Sequence, residues 1–313
     1  MATELYRVRA PAKVNLVLRV GPPREDGYHD LATLMVPLDL ADRIEVRLSR
    51  GRRGPVTCRV PGRPELDGPS NLAARAAEAF RGRFGVADAV ALTVEKRVPV
   101  TAGLGGGSSD AAAVLRALAR AYGVRDRQAL AEAGLAVGSD VPFFLGSGPA
   151  WAAGRGERLA PAIVPPLDLV LLYPEDPRLA IRAGEAYRWL DAARQGAAVR
   201  KPLARRGSFR PAHAENDLQE PCFERHPALR ALAGRLVGQG AKAAIMSGSG
   251  PTVFGIFEDR AAARRAALAA GEGAGQHVEV HVVRTLVRHP GVLRWKSPRS
   301  GSSPSARRSS RRT

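Results

Sequence analysis

The sequence predicts an α+β protein of two domains, and three observations carry that expectation. Runs with strand composition and runs with helical spacing both recur along the chain. Its 313 residues, 45% of them apolar, suffice for two ordinary domains at roughly 150 residues each. The segment Ala160-Pro-Ala-Ile-Val-Pro-Pro166 is the best linker. Domains are therefore expected at residues 1–160 and 161–287, followed by a basic tail over 288–313.

From the N-terminus, residues 10–20 alternate as a strand: Val14, Leu16, Leu18 and Val20 share one face, and Lys13 and Asn15 share the other. Gly21-Pro-Pro-Arg-Glu-Asp-Gly27 is turn chemistry, and Tyr28 and His29 stand at the mouth of the next element. Residues 31–40 and 43–48 read as further strands, broken at Pro37 and at Ala41-Asp42. Ser70 and Asn71 start an alanine-rich helix through Phe80, which Asn71 is suited to cap. Residues 91–94 have strand composition, and Pro99 stops that strand.

The next stretch is the one place where backbone chemistry alone points to a ligand. Gly103, Gly105, Gly106 and Gly107 can visit positive φ and curl their N–H groups inward. Ser108 or Ser109 reads as the N-cap of a helix that carries Ala111, Val114, Leu115, Leu118 and Tyr122 at helical spacing, until Gly123 ends it. Free N–H groups at the positive end of a helix dipole form a phosphate site. No Lys precedes the serines, which excludes a Walker A loop, and Ser108 stands where a dinucleotide fingerprint needs its third glycine. A nucleotide is expected, held by a different kind of loop.

A second helical run over 126–136 leads to Val137-Gly-Ser-Asp-Val-Pro-Phe-Phe-Leu-Gly146. Asp140 sits there in an apolar rim. Capping a helix is one use for it; a carboxylate in such a rim also needs a partner, and Lys13 is a candidate. Residues 151–159 read as a glycine-rich hairpin. Beyond the linker come a buried strand over 167–173, a helix over 182–193, a basic irregular insertion over 195–214, and helical regions from 215 and over 227–238. Residues 243–246 and 252–257 are strands joined by the tight turn Ser247-Gly-Ser-Gly-Pro251. A helix over 260–270 and a closing strand over 278–287 follow, and the Ser/Pro/Arg-rich stretch beyond Pro290 is predicted to be disordered.

Composition narrows the class. Cys58 and Cys222 are too few and too far apart for a disulfide framework or a metal cluster, so both are expected as reduced, packed thiols of a cytoplasmic protein. The N-terminus lacks the apolar core of a signal peptide and no run of about 18 apolar residues occurs, so no membrane partner is expected. A net charge of +18 raises nucleic acid as a partner, but eight of those charges lie in an acid-free stretch: Arg288, Arg294, Lys296, Arg299, Arg307, Arg308, Arg311 and Arg312. Acids are interleaved through the remainder. No specific nucleic acid is expected, and a basic RNA-binding module stays as the less favoured class.

Taken together, Pro11-Ala-Lys-Val-Asn-Leu16, residues 99–112 and Met246-Ser-Gly-Ser-Gly-Pro251 resemble the three motifs of the GHMP kinase superfamily, in the right order and across nearly the whole chain to about Val287. Asp26-Gly-Tyr-His29, Ala102-Gly-Leu-Gly-Gly-Gly-Ser-Ser-Asp110 and Gly138-Ser-Asp-Val-Pro-Phe143 are similar to its branch that phosphorylates a hydroxyl of a cytidine diphosphate sugar alcohol on the non-mevalonate isoprenoid route. A homoserine- or mevalonate-type kinase is the alternative, and Asp26-Gly-Tyr-His29 argues against it.

The resemblance implies a ribosomal S5 domain 2-like N-terminal domain and a ferredoxin-like GHMP kinase C-terminal domain, with ATP and a small-molecule acceptor between them. It implies that Asp140 takes the proton of the attacking hydroxyl, while Lys13 keeps Asp140 ionised and stabilises developing charge. Pro99, Val100, Thr101, Ala102, Gly103, Leu104, Gly105, Gly106, Gly107, Ser108 and Ser109 would cradle the triphosphate, with Mg²⁺ bridging its oxygens and no protein residue assigned to the metal. Asn71 and Lys96 match positions near the adenosine. Asn15, Tyr28 and His29 match acceptor contacts, with His29 reading the cytosine edge and Tyr187 set against the cytosine ring. One departure stands out: Ile181-Arg182-Ala183-Gly184 replaces a common Ser/Pro-Thr pair, so a hydroxyl contact is missing. A monomer or weak homodimer is expected.

Overall fold

The computed structural model describes residues 3–195, 208–272 and 277–295. In chain order, β1 (Thr3–Pro23) and β2 (His29–Arg53) form a long antiparallel hairpin, followed by β3 (Val56–Arg59), α1 (Leu72–Phe84), β4 (Asp88–Glu95), α2 (Gly106–Tyr122), α3 (Arg127–Leu135) and the short α4 (Val141–Leu145). The hairpin of β5 (Ala150–Gly154) and β6 (Arg158–Pro161) closes the first half. The second half contains β7 (Asp168–Pro174), α5 (Ala183–Ala193), β8 (Glu215–Asn216), α6 (Gln219–Arg225), α7 (Pro227–Gly238), β9 (Ala243–Met246), β10 (Val253–Phe257), α8 (Arg260–Glu272), β11 (Val278–Arg284) and β12 (Val292–Trp295).

These strands make two sheets. Among the described residues, an eight-stranded sheet runs β12-β1-β2-β4-β3, with β5, β6 and β8 joined alongside, and a four-stranded antiparallel sheet runs β11-β7-β10-β9. The α+β expectation holds. Helices α1 and α2 cover the large sheet through small side chains, including Ala73, Ala76 and Ala77 of α1 and Ala111, Ala112 and Val114 of α2, packed with Phe80, Val46 and Leu92. Alanine lets helix and sheet approach closely, so the core is dense in spite of few aromatic residues. A second core lies between the small sheet and α5 to α8, around Val170, Leu190, Leu229 and Leu236. A third seals the junction of the halves with Val14, Leu16, Leu104, Leu169 and Phe254. Cys58 and Cys222 are buried free thiols, and burial pushes them up to about 11 and about 12. No helix among the described residues is long and apolar enough to cross a membrane.

Local chemistry explains most boundaries and several departures from expectation. Asn71 caps α1 by accepting the Ala73 N–H at 2.9 Å, and Gly85 ends that helix in the left-handed region. Pro37 and Ala41-Asp42 do not break the second strand: β2 runs through both, because β1 follows it with bulges near Pro11 and Asn15. The segment from Glu215 begins as a two-residue strand parallel to β1, not as a helix. The stretch beyond Pro290 is not wholly disordered, since β12 pairs with β1 from Leu5↔Trp295 to Val8↔Val292 and Arg116 donates to the Pro290 carbonyl at 2.8 Å. An open edge of β1 supplied the partner that composition alone does not reveal. Residues 296–313, most of the predicted tail, lie outside the described residues, as do residues 196–207 of the basic insertion.

Candidate active site

The glycine loop folds as backbone held from beneath by charge. At its entry the carboxylate of Asp42, fully buried, accepts the N–H groups of Arg97 and Val98 at 2.6 and 2.8 Å. Lys96 Nζ bridges Asp42 at 2.5 Å and Asp110 at 2.9 Å. Burial works against the Lys96 charge, but the carboxylates of Asp110 and Asp42 overcome it and hold the ammonium above the usual lysine range. Burial also drives the Asp110 carboxyl well above the usual carboxylate range, against the pull of Lys96. The trio therefore fixes both ends of the loop: the strand end through Asp42 and the helix end through Asp110.

Between those ends Thr101, Gly103 and Gly105 all take positive φ. Gly105 is the N-cap residue of α2, so the helix begins at Gly106, ahead of the serines predicted to cap it. The N–H groups of Gly106, Gly107 and Ser108 precede the first intrahelical bond, which runs from Ser109 N–H to the Gly105 carbonyl at 2.9 Å. They border a cavity of about 350 Å³ lined by Pro99 to Gly103, Gly105 to Ser108, Asn71 and Lys96. Leu104 and Ser109, expected in the cradle, are instead buried at 1% exposure and do not line it. Leu104 points into the core between the halves, and Ser109 faces inward from the first turn of α2. Asn71 lines the cavity, but its side chain is already spent on the Ala73 N–H and the Leu66 carbonyl, each at 2.9 Å.

On the other side of the loop lies a cavity of about 640 Å³, and the remaining predicted residues Lys13, Asn15, Tyr28, His29, Asp140 and Tyr187 all line it. The two cavities share Gly103 and Gly105. A Cβ on Gly105 would lie 3.0 Å from Lys13 Cγ and 3.1 Å from its Cε, so only glycine lets the lysine stem cross the loop. The Lys13 ammonium is buried, donates to Asn15 Oδ1 at 2.6 Å and sits 3.6 Å from Asp140 Oδ2. A relay fixes the Asn15 amide. Thr33 Oγ1 donates to the Val17 carbonyl at 2.7 Å, so it must accept from Asn15 Nδ2, also at 2.7 Å, which turns Asn15 Oδ1 toward Lys13. Asp140 precedes α4 without capping it, which leaves its one-third exposed carboxylate free for Lys13 and the cavity.

The third motif closes the site. Asn216 Nδ2 donates to the carbonyls of Met246 and Gly248, both at 2.7 Å, and so shapes the turn between β9 and β10. That turn meets the glycine loop where Ser247 Oγ donates to the Gly103 carbonyl at 3.1 Å. A Cβ on Gly103 would run into the Ser247 and Gly250 carbonyls. A Cβ on Gly248 would lie 3.6 Å from Lys13 Nζ.

Tyr187, expected against the acceptor's base, lines the cavity beside His29. Its ring stacks on His29 at 5.2 Å and 19°. Burial, with the charge of Asp140 second, pushes its phenol up to about 12. Tyr28 is half exposed beneath the guanidinium of Arg155, 3.6 Å from its ring centroid. Sequence reasoning missed Asp42, Asp110, Thr33, Arg155 and Asp191. Asp191, one helical turn after Tyr187, was open to discovery by its spacing; Asp42 was hidden inside an apparent strand break.

Family models match both halves of the chain: the GHMP kinases N terminal domain over residues 71–148 and the GHMP kinases C terminal domain over residues 191–274. A protein of Anaeromyxobacter dehalogenans called 4-diphosphocytidyl-2-C-methyl-D-erythritol kinase is 70% identical over 308 residues, covering 97% of this chain and 98% of the relative. The chain belongs to the GHMP kinase family. Another relative of the same name, from Deinococcus radiodurans, is 43% identical and covers 83% of this GHMP kinase and 87% of itself. A crystal structure of 4-(cytidine 5'-diphospho)-2C-methyl-D-erythritol kinase superposes with a TM-score of 0.71 at 35% identity, over 89% of this chain and 99% of that one. A homoserine kinase from Cytophaga hutchinsonii, at 17% identity, a TM-score of 0.67 and coverage of 93% and 97%, shares the fold. GHMP kinases transfer phosphoryl groups from ATP, and the glycine loop of this member has the free N–H groups that such a donor needs.

Proposed function

We propose that this GHMP kinase transfers the γ-phosphoryl group of ATP to the 2-hydroxyl of 4-diphosphocytidyl-2-C-methyl-D-erythritol, in the cytoplasm, with Mg²⁺ carried in on the nucleotide oxygens. The observation that supports it most is the Lys13–Asp140 pair, 3.6 Å apart, beside the two glycines where a nucleotide cavity meets a larger one. The names of the highly identical relatives support the choice of acceptor.

In this reading Asp140 accepts the hydroxyl proton as the acceptor oxygen bonds to the γ-phosphorus and the bond to the bridging oxygen breaks, releasing ADP. The Lys13 ammonium, itself oriented by Asn15 and Thr33, stands 3.6 Å from the Asp140 carboxylate and lies close enough to offset negative charge growing on the transferring group. The N–H groups of Gly106, Gly107 and Ser108 hold the phosphates. Mg²⁺, when bound, neutralises the phosphate oxygens, as it does where it reaches a site mainly on substrate phosphates. On the acceptor side His29 and Tyr28 hold the cytidine half, and Tyr187, which lines the same cavity, is set against the cytosine ring.

The deciding experiment is ATP-dependent phosphorylation of the cytidylyl erythritol, followed by ³¹P NMR, with homoserine and mevalonate as controls. Turnover of a control in its place would refute the acceptor. Specific nucleic acid plays no part in this reading. Removing residues 296–313 is expected to strip most polyanion retention while leaving kcat unchanged; the cut must fall after Trp295 because β12 belongs to the fold.

A further inference from the structure

Asp140 owes its place to a helix too short to hold itself. α4 has five residues, fewer than two turns, so packing and not its own hydrogen bonds decides where it lies. Phe143 and Phe144, each 1% exposed, anchor it. One of their neighbours comes from the far end of the chain. After β11 the backbone leaves the small sheet and crosses back onto the first half. The Leu286 N–H donates to the Pro37 carbonyl at 2.7 Å, and the His289 N–H donates to the Ser147 carbonyl at 3.0 Å. There the His289 ring meets Phe143 at 5.2 Å and 80°, and Phe144 at 5.8 Å and 62°, between ring centroids. Arg116 of α2 fixes the next residue by donating to the Pro290 carbonyl at 2.8 Å.

This returning segment backs both charges of the reacting pair. Pro37, which receives Leu286, is the register partner of Lys13 across β1 and β2. Phe144, which receives His289, lies against the lysine stem: a Cβ built on Gly105 would be 3.1 Å from Phe144 Cε2 and 3.1 Å from Lys13 Cε. Phe143 stands three residues after Asp140 on the same short element. None of residues 285–290 lines either cavity, so the segment acts from behind. We propose that His289 is a positioning residue for phosphoryl transfer, acting through Phe143 and Phe144 to hold Asp140 and Lys13 at their reactive separation, an inference that rests on that pair serving the reaction described above. In-line attack needs the hydroxyl, its base and the ammonium aligned, and a displacement of about 1 Å costs on the order of 10²-fold in rate. Because the segment continues from β11, it also gives the second half of the chain a hold on the reacting pair without entering the cavity.

The test measures kcat and the KM of each substrate for wild type, His289→Ala, His289→Phe and Gly148→Ala, at a temperature where circular dichroism shows each variant folded. His289→Ala should lower kcat about 10- to 100-fold while both KM values stay within about 2-fold. His289→Phe, which keeps a ring against both phenylalanines, should bring kcat back to within about 3-fold of wild type. Gly148→Ala reaches the segment from elsewhere: its Cβ would run into the Val287 carbonyl oxygen, so the segment must lift, and kcat should fall about 10-fold. In an Asp140→Asn background His289→Ala should cost less than about 2-fold more, because the pair it positions is already gone, whereas a ring that only stabilised the fold would act equally in both backgrounds. Unchanged kcat in folded His289→Ala would overturn the proposal, as would an equal fall in the Asp140→Asn background. If His289→Ala does not fold, Gly148→Ala carries the same comparison, and unchanged kcat there is equally decisive against it. Wild-type turnover separates the two levels: if a control alcohol is phosphorylated in place of the cytidylyl erythritol, the acceptor reading fails and the variants are compared on that alcohol; if none is phosphorylated, both fail; if the cytidylyl erythritol is phosphorylated with kcat indifferent to residue 289, only this inference fails.

Discussion

The two cavities that meet at Gly103 and Gly105 are built on opposite plans. The nucleotide side comes mainly from one continuous segment, residues 96–110, and works through main-chain N–H groups that side chains support from beneath. The acceptor side gathers side chains from β1, β2, the approach to α4, the β5–β6 turn and α5. A phosphate is the same in every substrate of the family, so backbone suffices for it. An acceptor differs from one kinase to another, and only side chains can express that difference. Substitutions on the two sides should therefore fail in different ways.

The sharpest contrast comes from the reacting pair. Asp140→Asn and Lys13→Ala should each lower kcat by roughly 10²–10⁴ with ATP binding retained, measured by steady-state kinetics and nucleotide titration. Near-normal turnover in either would dissolve the pairing. Asp42→Ala attacks the support beneath the nucleotide side. It frees two buried N–H groups and half the partners of Lys96, so stability should fall by about 3–5 kcal/mol, read by denaturant unfolding. A loss of kcat with stability intact would show that the trio acts on chemistry and not on architecture.

A smaller effect separates the sides by pH. His289 packs edge-on against Phe143 and Phe144 of α4, behind Asp140, and burial, with Arg116 second, pushes it down to about 4. The unfolded chain, near 6.5, binds this proton more readily than the folded one. Stability is thus fully present above about 6.5 and declines as pH falls toward 4, by on the order of 2 kcal/mol after allowing for partial solvent screening. His289→Phe should flatten that part of the unfolding profile; an unchanged slope would remove His289 as its source. Smallest is Gly106→Val. Its side chain must displace Val98 and Lys96, whose atoms lie 3.1 and 3.2 Å from the position of the new Cβ, and the KM for ATP should rise about 10-fold with kcat for bound substrates little changed. An unaltered KM would argue against a phosphate cradle there.

The same contrast explains what could be read from the sequence. A glycine loop followed by a helix announces itself locally, because the chemistry and the residues that supply it are contiguous. Even there the helix start was misplaced: Gly105 in the left-handed region takes the capping position, and Ser109 turns inward. Lys13 and Asp140 could be suspected as partners because each is costly alone, but no spacing rule brings them together. Thr33 was invisible for a plainer reason, since it is ordinary until a fold places it beside Asn15. Strand continuity through Pro37 depended on bulges in a distant partner, which composition does not encode.

The pairing of β12 with β1 bears on how the molecule is made. During synthesis the large sheet cannot be completed when the first half has left the ribosome: β1 waits for Glu215–Asn216 on part of its length and for Val292–Trp295 on another. Until then its outer edge is bare, with unpaired main-chain groups of the kind that recruit strands from other chains. The strand that carries Lys13 is therefore among the first to be translated and among the last to be sealed, which makes the closing residues a guard against misassembly as much as a part of the wall.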